Sequence, residues 1–447
     1  MGPFISDIEI ISGPLPWLIY TLAAAVALAL AVRHVHDRRA RLRWLRRVVV
    51  AVMVGGGVGV LACWVIGDLL NAFDVSLSVT SRAWVGAAFA GIALAIVSLL
   101  ASRARRRVAS IAAIAVFVLM GAVGVNADFG QYTTVGSIIG APAFSPVPEP
   151  ILAAQRALAG SVPGSQPDLW KTWQGSADLP AHGIVGTIQI PATVSRFAAR
   201  EALMYLPPAA LVKNPPALPV LVMLAGQPGS PDNVFLAGRL EKVLDTISAR
   251  YHGLAPIVVV PDQLSADDVN PMCVDSAIGN SATYLTVDVP AWIRANLNVV
   301  GAASAWGIGG FSQGGTCAIQ LGAGYPELFG SILDVSGELE PKIGSPEATI
   351  AGGFAGDAAA YESAKPLSLI TKNAPFTDTV AIFAVGELDQ KYLPWLTTLS
   401  AAGATAGIKS TLLISPGSAH DWNTVRFAFE KGLPMIYRHM GLDGPLS

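Results

Sequence analysis

Four long apolar runs fill most of the first 126 residues, at positions 16–32, 48–70, 83–101 and 108–125. They leave the chain little choice of structure. A helix needs about 20 consecutive apolar residues to cross the hydrocarbon core, within a range of about 17–25. Each run meets that requirement, and no charge sits in the middle of any of them. Buried helices of a soluble core are the plainer alternative, but four runs in succession, uncharged through their middles and flanked by arginines, fit transmembrane helices better. The first run differs from a cleaved leader because its basic cluster follows the apolar stretch and no small-residue cleavage site comes after it. The glycines Gly55, Gly56, Gly57 and Gly59 in the second run allow close helix packing. With no unpaired charge in the middle of any span, the expected role is a compact anchor rather than a transporter.

The arginines set the expected orientation. The first connection carries Arg33, Arg38, Arg39, Arg41, Arg43, Arg46 and Arg47, and the third carries Arg103, Arg105, Arg106 and Arg107. The second has Asp68, Asp74 and a single Arg82, and the N-terminus has Asp7 and Glu9. Excess Arg and Lys marks the cytoplasmic side. A multi-pass protein of the cell membrane is expected, with both termini and everything after residue 126 extracytoplasmic.

The rest of the chain reads differently. Over all 447 residues 52% are hydrophobic and 13% charged, against about 25% charged in a typical soluble domain. That excess comes from the first 126 positions. A net charge of −2, with no basic face interleaved with aromatics, argues against a nucleic-acid partner. The three cysteines, Cys63, Cys273 and Cys317, form no metal-ligand spacing, so neither metal nor cofactor is expected. Asp262, Asp267, Asp268 and Asp275 lack the spacing of a calcium loop and read as solvated loop residues.

Residues 127–180 are rich in Gly, Pro, Ser and Thr, with a proline-dense stretch at 141–150, and read as an extracytoplasmic linker. From 181 to 447 short β-rich runs alternate with helical patterns, which predicts an α/β domain with a mostly parallel sheet. Strands are expected at 184–190 and 202–206, as a hairpin, and at 218–224, 256–260, 305–310, 331–335, 380–385 and 410–414. Helices are expected near 232–249, 282–297, 314–323, 392–402 and 424–439. Segment 338–377 fits no regular element and is expected to form an irregular cap.

One motif carries chemistry. Gly310-Phe311-Ser312-Gln313-Gly314 has the G-x-S-x-G pattern of a nucleophile elbow, in which the serine occupies a strained strand-to-helix turn. The pattern alone is weak, and an ordinary glycine-rich turn is the bland reading. Here a β-like run precedes it and a helical run follows. A base and an acid then come later in the chain, in the order Ser, Asp or Glu, His. His420, in the loop after the last expected strand, is the base candidate; His439 falls in a terminal helix, where a capping or surface role suffices. Asp389 is the acid candidate, with Glu387 as its rival, both just past the strand at 380–385. Two N–H groups should meet a developing oxyanion. Gln313 supplies one, and Gln227, in the glycine-containing loop after 218–224, supplies the other.

The segments LAGQPGSP (224–231), GFSQGG (310–315), GELD (386–389) and PGSAHDW (416–422) resemble the esterase D-like branch of the α/β hydrolases. That branch includes the antigen 85-type mycolyltransferases, in which the acid is a glutamate further along than GELD. The four apolar runs resemble the membrane region of actinobacterial integral-membrane esterases. The resemblance implies an α/β-hydrolase domain preceded by four transmembrane helices, and a Ser312–His420–Asp389 serine esterase. Its expected substrate is a lipid or cell-envelope ester, handled through an acyl-enzyme. An acyltransferase passing the acyl group to a sugar hydroxyl would use the same triad, and a non-catalytic binding protein on the same fold is the third alternative. An oxidising compartment would permit a Cys273–Cys317 bond, which the sequence leaves open.

Overall fold

A computed structural model describes residues 3–6, 8–33, 37–70, 77–102, 104–141, 143–160 and 168–444. Arg103, Asp7 and Asp74, used above for orientation, lie outside the described residues. The chain divides into two compact units, 1–141 and 142–447.

In the N-terminal unit four helices are long and apolar enough to cross a membrane. Helix α1 (Pro14–Ala31) begins on prolines, whose fixed φ and missing N–H suit a first turn. Helix α2 (Arg38–Cys63) is capped by the Asp37 carboxylate and runs on as a π-helix to Leu69. Helix α3 (Val79–Leu100) is capped by the Ser78 hydroxyl, and α4 (Ala104–Phe129) completes the set. Trp17, Leu28, Met53, Leu100 and Val108 stand exposed around the bundle. In water this would be a large apolar patch; in hydrocarbon it is the low-energy surface, provided that backbone groups are satisfied within helices. Gly55 and Gly59 meet α3 so closely that a Cβ on Gly55 would lie 2.6 Å from Ala93 Cβ, whereas Gly57 faces open space. At one end the arginines satisfy helix C-termini: Arg33 Nη2 donates to Ala101 O (2.8 Å) and Arg106 Nη2 to Leu30 O (2.6 Å). At the other end Arg82 and Asp68 form a bidentate pair.

The C-terminal unit is built on an eight-stranded sheet. Its strands are β1 (Ile184–Ile188), β2 (Ala202–Leu206), β3 (Val220–Leu224), β4 (Ile257–Val260), β5 (Trp306–Phe311), β6 (Ser331–Val335), β7 (Val380–Gly386) and β8 (Lys409–Ser415). The spatial order is β1-β2-β4-β3-β5-β6-β7-β8. β2 runs antiparallel to both β1 and β4, and every pairing from β4 to β8 is parallel. Strands β2 to β6 are buried at every residue, as expected where helices cover both faces. The covering helices include α5 (Glu149–Leu158), α6 (Leu240–Ser248), α7 (Val289–Asn296), α8 (Gln313–Gly324), α9 (Tyr392–Thr405) and α10 (Trp422–His439).

Three sequence expectations change. Part of the stretch read as linker packs onto this unit: Pro146 bridges Thr187 of β1, and Gln155 of α5 donates to Ala210 O. The helix expected over 232–249 breaks at Arg239, whose φ is +54°. Segment 338–377 is mostly helical, as Pro346–Gly353, Ala358–Ala364 and Pro366–Asn373. These helices are too short to display a period, but their starts are encoded: Ser345 and Asp357 cap two of them, and Pro346 and Pro366 open first turns.

Candidate active site

The elbow forms where β5 passes into α8. Ser312 holds φ +56° and ψ −117°, a conformation that costs a non-glycine residue energy and persists only when its surroundings enforce it. The neighbouring glycines do that. A Cβ on Gly314 would lie 2.6 Å from Leu224 O on β3, and one on Gly310 would strike the Gly314 backbone. On the third side, Ser312 N donates to Val335 O at 2.8 Å.

His420 lies in the loop between β8 and α10. Asp421 N-caps α10 through the Asn423 and Thr424 N–H groups, and its other carboxylate oxygen accepts from Ala419 N. The residues either side of the imidazole are therefore pinned. Asp389 follows β7, in a loop stitched to the histidine loop by Glu387 N to Ser415 O and Leu388 N to Ser418 O. His420 Nδ1 and Asp389 Oδ2 are 3.0 Å apart, with the two side chains 9% and 5% exposed. Glu387 is exposed and accepts from Gly417 N instead.

The histidine ring packs at a tilt against Tyr392, at 4.1 Å between centroids, and against Phe311, at 4.9 Å. Phe311 adjoins Ser312 and also packs on Trp422. Ser312 Oγ makes no hydrogen bond to the imidazole among the described residues; such bonds commonly tighten only around substrate. Tyr392 does more than pack. Its N–H donates to Asp389 Oδ1 (3.3 Å), and its hydroxyl donates to Glu338 Oε1 (3.2 Å), which also pairs with Lys342 (2.9 Å). Nothing local in the sequence marks Tyr392 or Phe311 as site residues, because both roles arise from packing between distant segments.

The loop after β3 comes close to the elbow: a Cβ on Gly226 would lie 3.5 Å from Ser312 Cβ. Among the described residues, the Gln227 and Gln313 N–H groups donate to no protein acceptor. Cys273 and Cys317 form a disulfide with Cα atoms 5.5 Å apart, tying the 270–273 loop to the first turns of α8. Asp262 departs from the solvated role expected of it. It is fully buried and holds Arg200, whose Nε and Nη2 donate at 3.0 and 2.9 Å, while Asp267 pairs with the same guanidinium. Behind the elbow, Asp334 is wholly buried, and loss of solvation pushes its carboxyl well above the ordinary range. No group of three His, Cys, Asp or Glu side chains among the described residues is arranged to hold a metal.

The strand order, the serine elbow and the buried His–Asp pair define an esterase-type α/β-hydrolase, and the C-terminal unit is a serine carboxylic ester hydrolase. Residues 198–412, wholly within that unit, match the Esterase family model, described as "Putative esterase". The whole chain is similar to an uncharacterised protein of Corynebacterium glutamicum, 28% identical over 427 residues, which cover 93% of this chain and 94% of that one. Similar solved structures include a ferulic acid esterase (17% identity, TM-score 0.49, 59% of this chain and 100% of that one). Another is an S-formylglutathione hydrolase from Agrobacterium tumefaciens (20% identity, TM-score 0.47, 60% and 98%).

Proposed function

We propose that this protein is a membrane-anchored extracytoplasmic serine esterase acting on a lipid or cell-envelope ester, with Ser312, His420 and Asp389 as its triad. The observation that carries the reading is the buried His420–Asp389 pair beside a serine held in a strained elbow. His420 takes the proton of Ser312 as Oγ attacks the ester carbonyl, and the Gln227 and Gln313 N–H groups receive the oxyanion. The tetrahedral intermediate collapses, His420 returns the proton to the departing alkoxide, and an acyl-Ser312 remains. Water, deprotonated by His420, then releases the acid and restores the serine. Asp389 keeps the Nδ1 proton of the imidazole in place, so that Nε2 faces the nucleophile.

The extracytoplasmic placement rests on the arginine distribution. The Cys273–Cys317 bond agrees with it, since an oxidising compartment sustains such bonds. The substrate class rests on the four helices, which would tether the enzyme to a bilayer. A fluorophosphonate probe tests the chemistry: the full-length protein in detergent should label, and Ser312→Ala should not. Equal labelling of the two would overturn the reading. Protease added to intact cells should remove the C-terminal unit, and its protection would reverse the assigned orientation.

A further inference from the structure

One buried side chain bridges the two walls of the proposed oxyanion site. Gln263, 1% exposed, follows β4, and its Nε2 donates both to Ala225 O (2.7 Å) and to Gln313 Oε1 (3.0 Å). Ala225 lies in the loop carrying the Gln227 N–H, two residues before it. Gln313 carries the other N–H. The direction of the chain is unambiguous, because a backbone carbonyl can only accept. Gln263 Nε2 must face Ala225, so Gln313 must turn its Oε1 toward Gln263 and its Nε2 toward Asn270 Oδ1, at 2.9 Å. Asn270 in turn donates to Lys342 O. The near end of the chain is fixed as well: the preceding residue, Asp262, is clamped by Arg200, and Arg200 Nη2 also donates to Gly229 O (2.9 Å) at the far side of the same loop.

We infer that Gln263 is a positioning residue for acyl transfer, setting the separation between the Gln227 and Gln313 N–H groups. The inference rests on the proposed esterase function. It follows from geometry: preorganised donors act only when held where the oxyanion develops, and a misplacement of about 1 Å costs about 10²-fold in rate. Among the described residues Gln263 makes no hydrogen bond to Ser312 or His420, and its bonds run to the two segments that carry the N–H groups, so its loss should fall on the transition state rather than on substrate binding.

The experiment compares wild type with Gln263→Met, which keeps the length and removes both donated hydrogen bonds. Gln313→Met cuts the same link from the other end, and the double variant is the third arm. Full-length protein in detergent is titrated with a fluorophosphonate, and p-nitrophenyl ester turnover is expressed per titrated site. Thermal midpoints are measured in parallel. Expected is a fall in kcat per site of about 10- to 100-fold, with KM within about threefold. The double variant should lose less than the product of the two single losses, since both break the Ala225–Gln263–Gln313 link while Gln313→Met also gives up its bond to Asn270. A structural role alone would lower the midpoint and leave kcat per site unchanged, and that result overturns the inference while the esterase reading stands. A wild-type protein that does not titrate overturns both. If Gln263→Met does not fold, Gln313→Met supplies the same reading.

Discussion

Replacing Asp389 with asparagine puts the proposed triad to its most direct test. The carboxylate is 5% exposed and lies 3.0 Å from His420 Nδ1, so water cannot stand in for it. Asparagine keeps the shape, and its Oδ1 can still accept the Tyr392 N–H found there at 3.3 Å. Its Nδ2, however, would face His420 Nδ1 and force that nitrogen to accept. The imidazole would then carry its proton on Nε2, the position that must receive the proton of Ser312. An acid-to-amide change in this role costs about 10⁴-fold in kcat in serine proteases, or about 5.5 kcal/mol at 1.36 kcal/mol per decade. Glu387→Gln is the matched comparison. That side chain is exposed and, among the described residues, holds only the Gly417 N–H, at 2.8 Å. A surface hydrogen bond contributes about 1 kcal/mol or less, so kcat should stay within about fivefold. Turnover of a p-nitrophenyl ester per folded molecule, checked by circular dichroism, reads both. Should Glu387→Gln fall as far as Asp389→Asn, or Asp389→Asn keep more than about a tenth of wild-type kcat, the assignment of the acid is wrong.

Asp334 predicts a pH effect on stability. Burial raises its folded-state pKa above the unfolded value, so its contribution is fully present below the unfolded pKa and is lost as pH rises through the folded one. Within that window wild type should lose about 1.4 kcal/mol per pH unit relative to Asp334→Asn; parallel denaturation profiles across pH would refute this. The Cys273–Cys317 bond closes a separation of 44 residues, for which chain entropy gives about 4 kcal/mol. Cys317→Ala should therefore lower the denaturation midpoint clearly, and an unchanged midpoint would show that the bond constrains nothing. Gly314→Ala would place a Cβ 2.6 Å from Leu224 O and should destabilise by about 2–4 kcal/mol or more. Gly301→Ala, with nothing within 4 Å of its Cβ, should stay within about 0.5 kcal/mol, and equal losses at the two sites would refute the steric account.

Much of the architecture was legible because the physics behind it is local. A run of about 20 apolar residues has one low-energy use, and each expected span lies within a helix, apart from a residue at some ends. All eight expected strands are present within a residue or two, since apolar runs punctuated by turn residues report strand burial directly. The elbow was legible for the same reason: Gly310, Ser312 and Gly314 are needed within five residues by the turn itself. Where signals were short or unperiodic the reading failed, as in 338–377, and in the stretch after 141 that was read as linker.

The site divides along the same line. Ser312 and His420 are named by motif, chain order and loop position, all properties of the sequence alone. Asp389 and Glu387 sit two residues apart on one loop, and composition does not separate them. The choice between them depends on which carboxylate the β7 loop turns inward when it is stitched to the β8 loop. Tyr392 against His420, Arg200 within reach of Gly229, and Gln263 between Ala225 and Gln313 are contacts across 28 to 50 residues. No local pattern encodes such contacts, because each residue's role depends on what the sheet order brings next to it. The sequence determined the four long apolar helices, the class of sheet and the place of the serine elbow, through periodicity and turn chemistry. Only the tertiary structure decided which carboxylate meets the histidine and which amide links Ala225 to Gln313, since hydrogen bonds between buried side chains exist only once the chain has closed around them.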